Sequence, residues 1–307
     1  MQTIKNRLRA INNIGKITKA MEVVAATKMR KAQELAVNSR PYSWQVLDLL
    51  SRLISHKTDS VPFLQEREVR NTLMMIVSSD RGLVGSFNNQ LFRVIDEYVR
   101  SNKLTTDNFK VVTIGKKAMN FTIKNSYVSE KNFLNFGNMA KPNQMDSVSD
   151  FIIEGFLAAK WDRVMSVSMN FKTTLVQTPL LRQIMPVNFD MIRKTVAEIV
   201  PTHGRYSELK DIKPEQMEMN EINYLFEPPK DELLNKLIPH LIKMQLYHVM
   251  LEANASEHSA RRVAMKTASD NADEVASKLS TDYNKVRQSN ITRELIEITS
   301  TQSALQN

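Results

Sequence analysis

Seven glycines are spread so unevenly over 307 residues that they divide the chain before any other feature is consulted. Gly15 is the only one before Gly82, and none follows Gly204. Proline is placed the same way: Pro41 and Pro62 precede the middle, and only Pro239 follows the Pro228-Pro229 pair. In a helix interior glycine costs about 1 kcal/mol against alanine and proline about 3, so long helices exclude both. The chain therefore reads as a helical front over 1–60, a punctuated middle over 70–220 and a helical end over 230–307.

The front carries helix periodicity. Ile4, Leu8, Ile11, Ile14, Ile17 or Thr18, Met21 and Val24 or Ala25 recur every three or four residues, the spacing of one helix face. Pro41 is expected to kink or interrupt such a helix, yet Trp44, Leu47, Leu50 and Ile54 resume the pattern beyond it. At 1.5 Å per residue, roughly 55 residues make a rod of about 80 Å. In the tail, Leu233, Leu237, Leu241, Met244, Tyr247 or His248 and Leu251 repeat, followed by Ala260, Ala264, Ala268, Ala272 and Ala276, then Leu279, Tyr283 and Val286. Alanine at every fourth position lets a partner backbone approach closely. The two terminal helices most simply pair as an antiparallel coiled coil; core helices of an all-α domain are the alternative.

The middle differs in kind. Runs from Thr72 to Ser79, Phe109 to Ile114 and Arg163 to Met169 read as buried strands, with helix-like stretches at Asn88 to Tyr98 and Val148 to Ala159. Strands alternating with helices indicate a Rossmann-like α/β domain with a mostly parallel sheet. Phe171 to Val187 reads as strand or edge structure, and 188–220 as a loop or short helix.

The segment most suggestive of chemistry is Asp80-Arg-Gly-Leu-Val-Gly-Ser-Phe-Asn88, at a strand-to-helix turn. A phosphate loop there needs backbone N–H groups converging at a helix N-terminus. The Walker lysine is missing and a Rossmann loop needs a third glycine. A nucleotide-binding α/β enzyme with its site at Asp80–Asn88 is the alternative function; the structural reading is that Gly82 and Gly85 permit a tight turn and close helix–sheet packing. The histidines, His56, His203, His240, His248 and His258, form no His-Glu-x-x-His pair, and the chain has no cysteine, so zinc and thiol chemistry are not expected. His240 and His248 lie eight apart on one helix face. No catalytic triad or paired catalytic carboxylates are recognisable, and the sequence suggests no cofactor.

The formal net charge is +9, and it is concentrated at the front. Lys5, Arg7, Arg9, Lys16, Lys19, Lys28, Arg30 and Lys31 face only Glu22 there, whereas seven bases meet seven acids from Ser256 onward. An acidic protein face is the partner this favours. A coiled-coil nucleic-acid binder is the competing reading, but no aromatic residues interleave the bases and no recognised motif accompanies them. No run of eighteen apolar residues appears, and the basic start lacks the apolar core of a signal peptide.

Several motifs carry a likeness to a known family. Lys16-Ile-Thr-Lys-Ala-Met-Glu-Val-Val-Ala-Ala-Thr-Lys-Met-Arg-Lys-Ala-Gln33, Ser39-Arg-Pro-Tyr42, the Asp80–Asn88 loop, Ser256-Glu-His-Ser-Ala-Arg-Arg-Val-Ala-Met-Lys266, Ser269-Asp-Asn-Ala272, Tyr283-Asn-Lys-Val-Arg-Gln288 and Ile291-Thr-Arg-Glu-Leu-Ile-Glu-Ile298 follow in order. Together they resemble the gamma subunit of F-type ATP synthases over nearly the whole chain. That resemblance implies a non-catalytic rotor shaft, with the paired terminal helices inside a ring of alpha and beta subunits. It implies a central domain bound to the epsilon subunit and the membrane rotor ring of c subunits, with no nucleic-acid partner and no cofactor. Chemistry would stay in the beta subunits. The location implied is the cytoplasmic face of the bacterial plasma membrane, or alternatively the matrix side of the mitochondrial inner membrane.

Carried over position by position, the likeness implies that Met21, near Lys19, meets an acidic lever loop of beta. It implies that Arg287 and Gln288 hydrogen-bond a beta loop, and that Thr292 and Glu294 bear on coupling efficiency; ordinary coiled-coil faces are the other reading of the last two. The chain departs from the family at Thr301-Gln302, where a small Gly-Ala pair is common, and at Val84 and Ser86 in the loop. Lacking cysteine, it cannot carry the thiol switch of chloroplast relatives.

Overall fold

The computed structural model describes residues 1–53, 61–136, 140–188 and 229–305. The loop or short helix expected over 188–220 lies, beyond Asn188, outside the described residues, as do Ile54, His56, His203, Gly137 and Gly204. Two helices bracket the fold: α1 (Gln2–Leu53) and α5 (Lys230–Leu305). Between them come β1 (Thr72–Val77), α2 (Phe87–Ser101), β2 (Phe109–Ile114), α3 (Lys116–Lys124), β3 (Val128–Phe133), α4 (Pro142–Leu157), β4 (Arg163–Phe171) and β5 (Gln177–Met185). Pro41 does not end α1, and Pro239 lies inside α5. Among the described residues no helix is long and apolar enough to cross a membrane.

The sheet order is β3-β2-β1-β4-β5. The β1–β2, β1–β4 and β2–β3 pairs are parallel, and β5 runs antiparallel to β4. The reason is connection length. Only a tight turn links β4 to β5, with Lys172 N–H donating to Val176 O at 3.2 Å, and parallel neighbours need a crossover of a dozen residues or more. The central strands β1 and β2 are largely apolar on both faces because both are covered, whereas β4 is apolar on one face and carries Ser166, Ser168 and Asn170 on the other. Leu73, Met75, Val77, Val112, Ile114 and Val164 pack with α4 and with Leu234 to Met250 of α5. Met74, Ile76, Val111, Met165, Val167 and Met169 pack with Leu91 and Ile95 of α2 and Ala118 of α3. Trp161 closes the first core, its ring against Gly155 and its Nε1–H donating to Ile152 O at 3.0 Å.

Two elements escaped the sequence reading. β3 is an edge strand whose residues are exposed until Phe133, so it lacks the apolar signature of its neighbours. Its Glu130 pairs instead with Lys110 across the ladder at 2.9 Å. The helix α3 is short, and Gly115 before it reads as the end of a strand rather than the start of a helix.

The chain divides into two compact units, and each long helix contributes to both. One unit comprises Met1–Ala25 with Arg262–Asn307, the other Ala26–Arg261. In the second, Met29 and Ala32 of α1 meet Ala255 of α5 and Phe171 of β4.

Candidate functional site: a helix pair with an uncovered end

In the first unit the two helices share a narrow seam. A Cβ added to Gly15 would lie 3.5 Å from Ala272 Cβ and 3.6 Å from Asp273 Oδ1. One turn later on α1, the Lys19 ammonium feels the carboxylates of Asp270 and Asp273. Advancing on α1 moves back along α5, so the pair is antiparallel. The buried seam residues are Gly15, Thr18 and Ala25 facing Met265, Ser269 and Ala272. Ile4, Leu8, Ile11 and Met21 line it half-buried, as do Ala264, Ala268, Ala276, Leu279, Tyr283 and Val286.

The seam settles the two open choices of the periodicity reading on Thr18 and Ala25 and corrects it at Ile14. Ile14, Ile17 and Val24 face solvent, Ile17 with 59% of its surface exposed, while Gly15 and Thr18 turn inward. The partner decides this: α5 offers small residues, so close backbone approach wins over bulk. Thr18 is tolerated inside because its hydroxyl donates within its own helix, to Ile14 O and Gly15 O at 3.0 Å. Gly15→Ala should therefore stabilise the pair by about 0.5–1 kcal/mol, since the methyl enters ordinary contact and helix propensity improves. Gly15→Leu should cost about 1–3 kcal/mol by forcing the helices apart. Thermal melts followed by circular dichroism read both; a destabilised alanine variant would refute the assigned seam.

Ile14, Ile17, Met21 and Val24 fall three to four residues apart, one helix face; Lys19 stands on the other flank of α1, toward Asp270 and Asp273. Lys19 Nζ meets Glu22 Oε2 at 2.9 Å. That bond, then the Glu22 charge, raises the Lys19 pKa, with Asp270 and Asp273 adding to it. α5 carries i,i+4 pairs on its outer surface, Lys266–Asp270, Lys278–Glu274 and Arg293–Glu297. Solvent screens exposed pairs of this kind, so they keep the helix soluble more than they hold it.

Beyond Val286 the seam ends. From Arg287 to Thr299 every residue of α5 is exposed. Ile291, Leu295 and Ile298, spaced four and three apart, leave an apolar stripe in water, Ile298 with 63% exposed. From residue 287 to residue 299 that is about 20 Å of helix at 1.5 Å per residue. A contiguous apolar stripe in solvent marks a contact surface. The structure places Arg287, Gln288, Thr292 and Glu294 together on this uncovered segment, with Thr292 Oγ1 donating to Gln288 O at 3.0 Å. Lys19 and Met21 lie elsewhere on the pair, level with Asp270. The separation from Arg287 is about 26 Å along α5.

The loop Asp80–Asn88 is tied at both ends to its own chain. Asn88 exchanges hydrogen bonds with Ser79, and Lys116 N–H donates to Asp80 Oδ1 at 3.1 Å. Gly85 adopts φ +58° and supplies the turn. Gly82 has nothing near its Cβ position, and the close approach falls instead to Gly115 against Ser78. The Asp80 carboxylate, taken up by the Lys116 N–H, lies where a nucleotide phosphate would have to sit. The histidine pair also separates: His240 is exposed and His248 is 1% exposed.

A family model described as ATP synthase matches residues 1–305. An ATP synthase gamma chain of Trichlorobacter lovleyi is 33% identical over 306 residues, spanning 98% of this chain and 96% of its own. The chain belongs to the ATP synthase gamma chain family. A second gamma chain, from Geobacter metallireducens, is 35% identical over 302 residues with the same coverage. The fold agrees. Against Euglena gracilis mitochondrial ATP synthase (OSCP/F1/c-ring, rotational state 3) the TM-score is 0.63 at 16% identity, covering 99% of this gamma chain and 94% of that one. Against the central stalk and c-ring structure of Tetrahymena thermophila mitochondrial ATP synthase it is 0.57 at 20% identity, covering 82% and 99%.

Sequence reasoning missed one polar feature of this gamma chain. Arg182 and Glu252, each 6% exposed at the side chain, pair at 2.8 Å between β5 and α5. The available signal was the density of Glu, Asn, Ser and His between residues 245 and 259, on a stretch of helix in which every residue from 248 to 259 proves buried.

Proposed function

We propose that this gamma chain is the central rotor shaft of an F-type ATP synthase, coupling proton flow through the membrane sector to ATP synthesis in the beta subunits. The observation that carries the reading is the helix pair whose longer member continues, uncovered and apolar-striped, past the end of its partner. A helix left this way needs a surrounding sleeve, and alpha and beta subunits alternating around it supply one. The chain itself is non-catalytic. It acts by touching the conformers of beta differently, which is the only way a shaft shifts their nucleotide affinities. The central domain binds the c-subunit ring and the epsilon subunit, and the whole sits peripherally on the cytoplasmic face of a bacterial plasma membrane.

Within this reading Met21 and Lys19 meet the acidic lever loop of beta, in keeping with the basic front of α1. Arg287 and Gln288 hydrogen-bond a second beta loop, and Thr292 and Glu294 set coupling beside them. The exposure of the last four supports this, because substitution there costs the isolated fold little. Arg287→Ala and Gln288→Ala are expected to lower coupled ATP synthesis severalfold with melting temperatures unchanged. Synthesis and torque at wild-type levels in both would remove these residues from the beta contact. The reading as a whole is tested by purifying native complexes through a tag on this chain. Recovery as a free monomer, without alpha and beta, would end it.

A further inference from the structure

The face of the sheet under α5 is polar where the helix crosses β4 and β5. Side chains alternate faces along a strand, so Ser166, Ser168 and Asn170 share the face of Val164, and Arg182 stands opposite Ser166 in the β4–β5 register. On α5, Gln245, His248, Glu252, Ser256 and Ser259 recur at intervals of three and four, one helical face, and all are buried. Hydrogen bonds cross this seam, among them Gln177 Nε2 donating to Ser259 Oγ at 3.4 Å. Arg182 Nη2 donates to Glu252 Oε2 at 2.8 Å, Ser256 Oγ to Met169 O at 3.0 Å and Ser259 Oγ to Thr174 O at 2.8 Å.

Apolar side chains hold a helix on a sheet without a unique setting, and elements packed this way can ratchet past each other by one turn, about 5.4 Å. The serines of β4 offer shallow relief against such a slip. The ion pair does not share that tolerance. A shift of one turn brings His248 or Ser256 to Arg182 in place of Glu252, and neither carries a negative charge. The slipped state would leave a buried guanidinium without its carboxylate, and it would also break the bonds of Ser256 and Ser259. Pairs of this kind add little net stability over apolar residues of similar size. What they add is one setting in which the two buried charges meet.

We propose that Arg182 and Glu252 are positioning residues of the shaft: their buried pair fixes the register of α5 on the sheet, so that torque on the helix enters the central domain without slip. This rests on the shaft reading above. It concerns load, and load separates the lock from ordinary structural support. In the assembled complex in sealed vesicles, the double variant R182M/E252M should melt no lower than wild type. It should hydrolyse ATP without a gradient to within about twofold of wild type, since apolar replacement keeps the packing. Against a full ion gradient its ATP-driven pumping should fall to about a third or less, because slip competes only under load. The reversed pair R182E/E252R should recover pumping beyond the Met pair.

Pumping by the Met pair to the wild-type gradient overturns the lock. So does failure of the Met pair to fold or assemble, which would make the ion pair a support for stability. A reversed pair that assembles yet pumps no better than the Met pair overturns it as well. Failure of the shaft reading itself would register separately, as wild-type chain recovered without alpha and beta.

Discussion

Gly115→Ala should lower the unfolding free energy of the sheet-containing unit by about 4 kcal/mol, at the upper end of what a single substitution does. Gly115 has φ +97°, a conformation that side chains rarely adopt, and its Cβ would fall on the carbonyl of Ser78. Rotation cannot relieve a clash with backbone. The position is also a junction. Gly115 N–H donates to Phe133 O at 2.9 Å, Ser78 N–H to Ile114 O at 2.9 Å, and Ser78 Oγ accepts from Ala118 N–H at 2.7 Å. Displacing Gly115 therefore disturbs the ends of β1, β2 and β3 and the start of α3 together. Gly82→Ala is the matched control, since nothing lies near its Cβ position, and it should change stability by no more than about 0.5 kcal/mol. Denaturant melts of both decide the matter; a loss below about 1 kcal/mol for Gly115→Ala would contradict the assigned junction.

The second large effect is on pH dependence. Burial raises the Glu257 carboxyl to about 7, against the opposing pull of Arg261, with Asp80 raising it further and Lys28 lowering it. Arg261 Nη2 donates to Glu257 Oε1 at 2.7 Å and Arg261 Nη1 lies 3.4 Å from His258 Nδ1. Burial, and then the neighbouring Arg182, lowers His248 to about 4. The signs are opposite. A carboxyl raised in the folded state contributes stability that is whole below about 4.5 and lost as pH rises through about 7. A histidine depressed in the folded state contributes stability present above about 6.5 and lost as pH falls through about 4. Each is worth about 3 kcal/mol at most, at 1.36 kcal/mol per pKa unit.

Between about pH 4.5 and 6.5 the two slopes cancel, and wild-type stability should be nearly level there. Glu257→Gln removes one slope and should leave a variant that loses about 3 kcal/mol on acidification across that window. His248→Gln should do the reverse and gain on acidification. Unfolding free energies between pH 4.5 and 7.5 test this by slope alone, whatever each substitution costs at neutral pH. Parallel profiles for the three proteins would show that neither group titrates in this way.

How much of this was readable in the chain can be argued element by element. The glycine and proline gaps located both long helices because a helix penalises those residues wherever it runs. The runs at 72–79 and 109–114 announced central strands because a covered sheet needs apolar residues on both faces, and the run at 163–169 did so by alternating apolar residues with Ser166 and Ser168. β3 announced nothing, since an edge strand exposed to water has no such need. The motifs at residues 16–33 and 283–298 pointed to the family, and to Met21, Arg287, Gln288, Thr292 and Glu294, without any geometry.

Tertiary structure decided the rest. Which stripe of α1 faces inward depended on α5, whose small residues draw in Gly15 and Thr18 and leave Ile14 and Ile17 outside. Local spacing is equally satisfied by either face. The Arg182–Glu252 pair joins residues seventy positions apart, and nothing near either one marks the other. Sequence by itself determined where long helices and a parallel sheet must form, because those costs and gains are paid residue by residue along the chain. Only the folded molecule decided which faces meet and where the seam runs out, because those outcomes depend on the shape and charge of a partner distant in sequence.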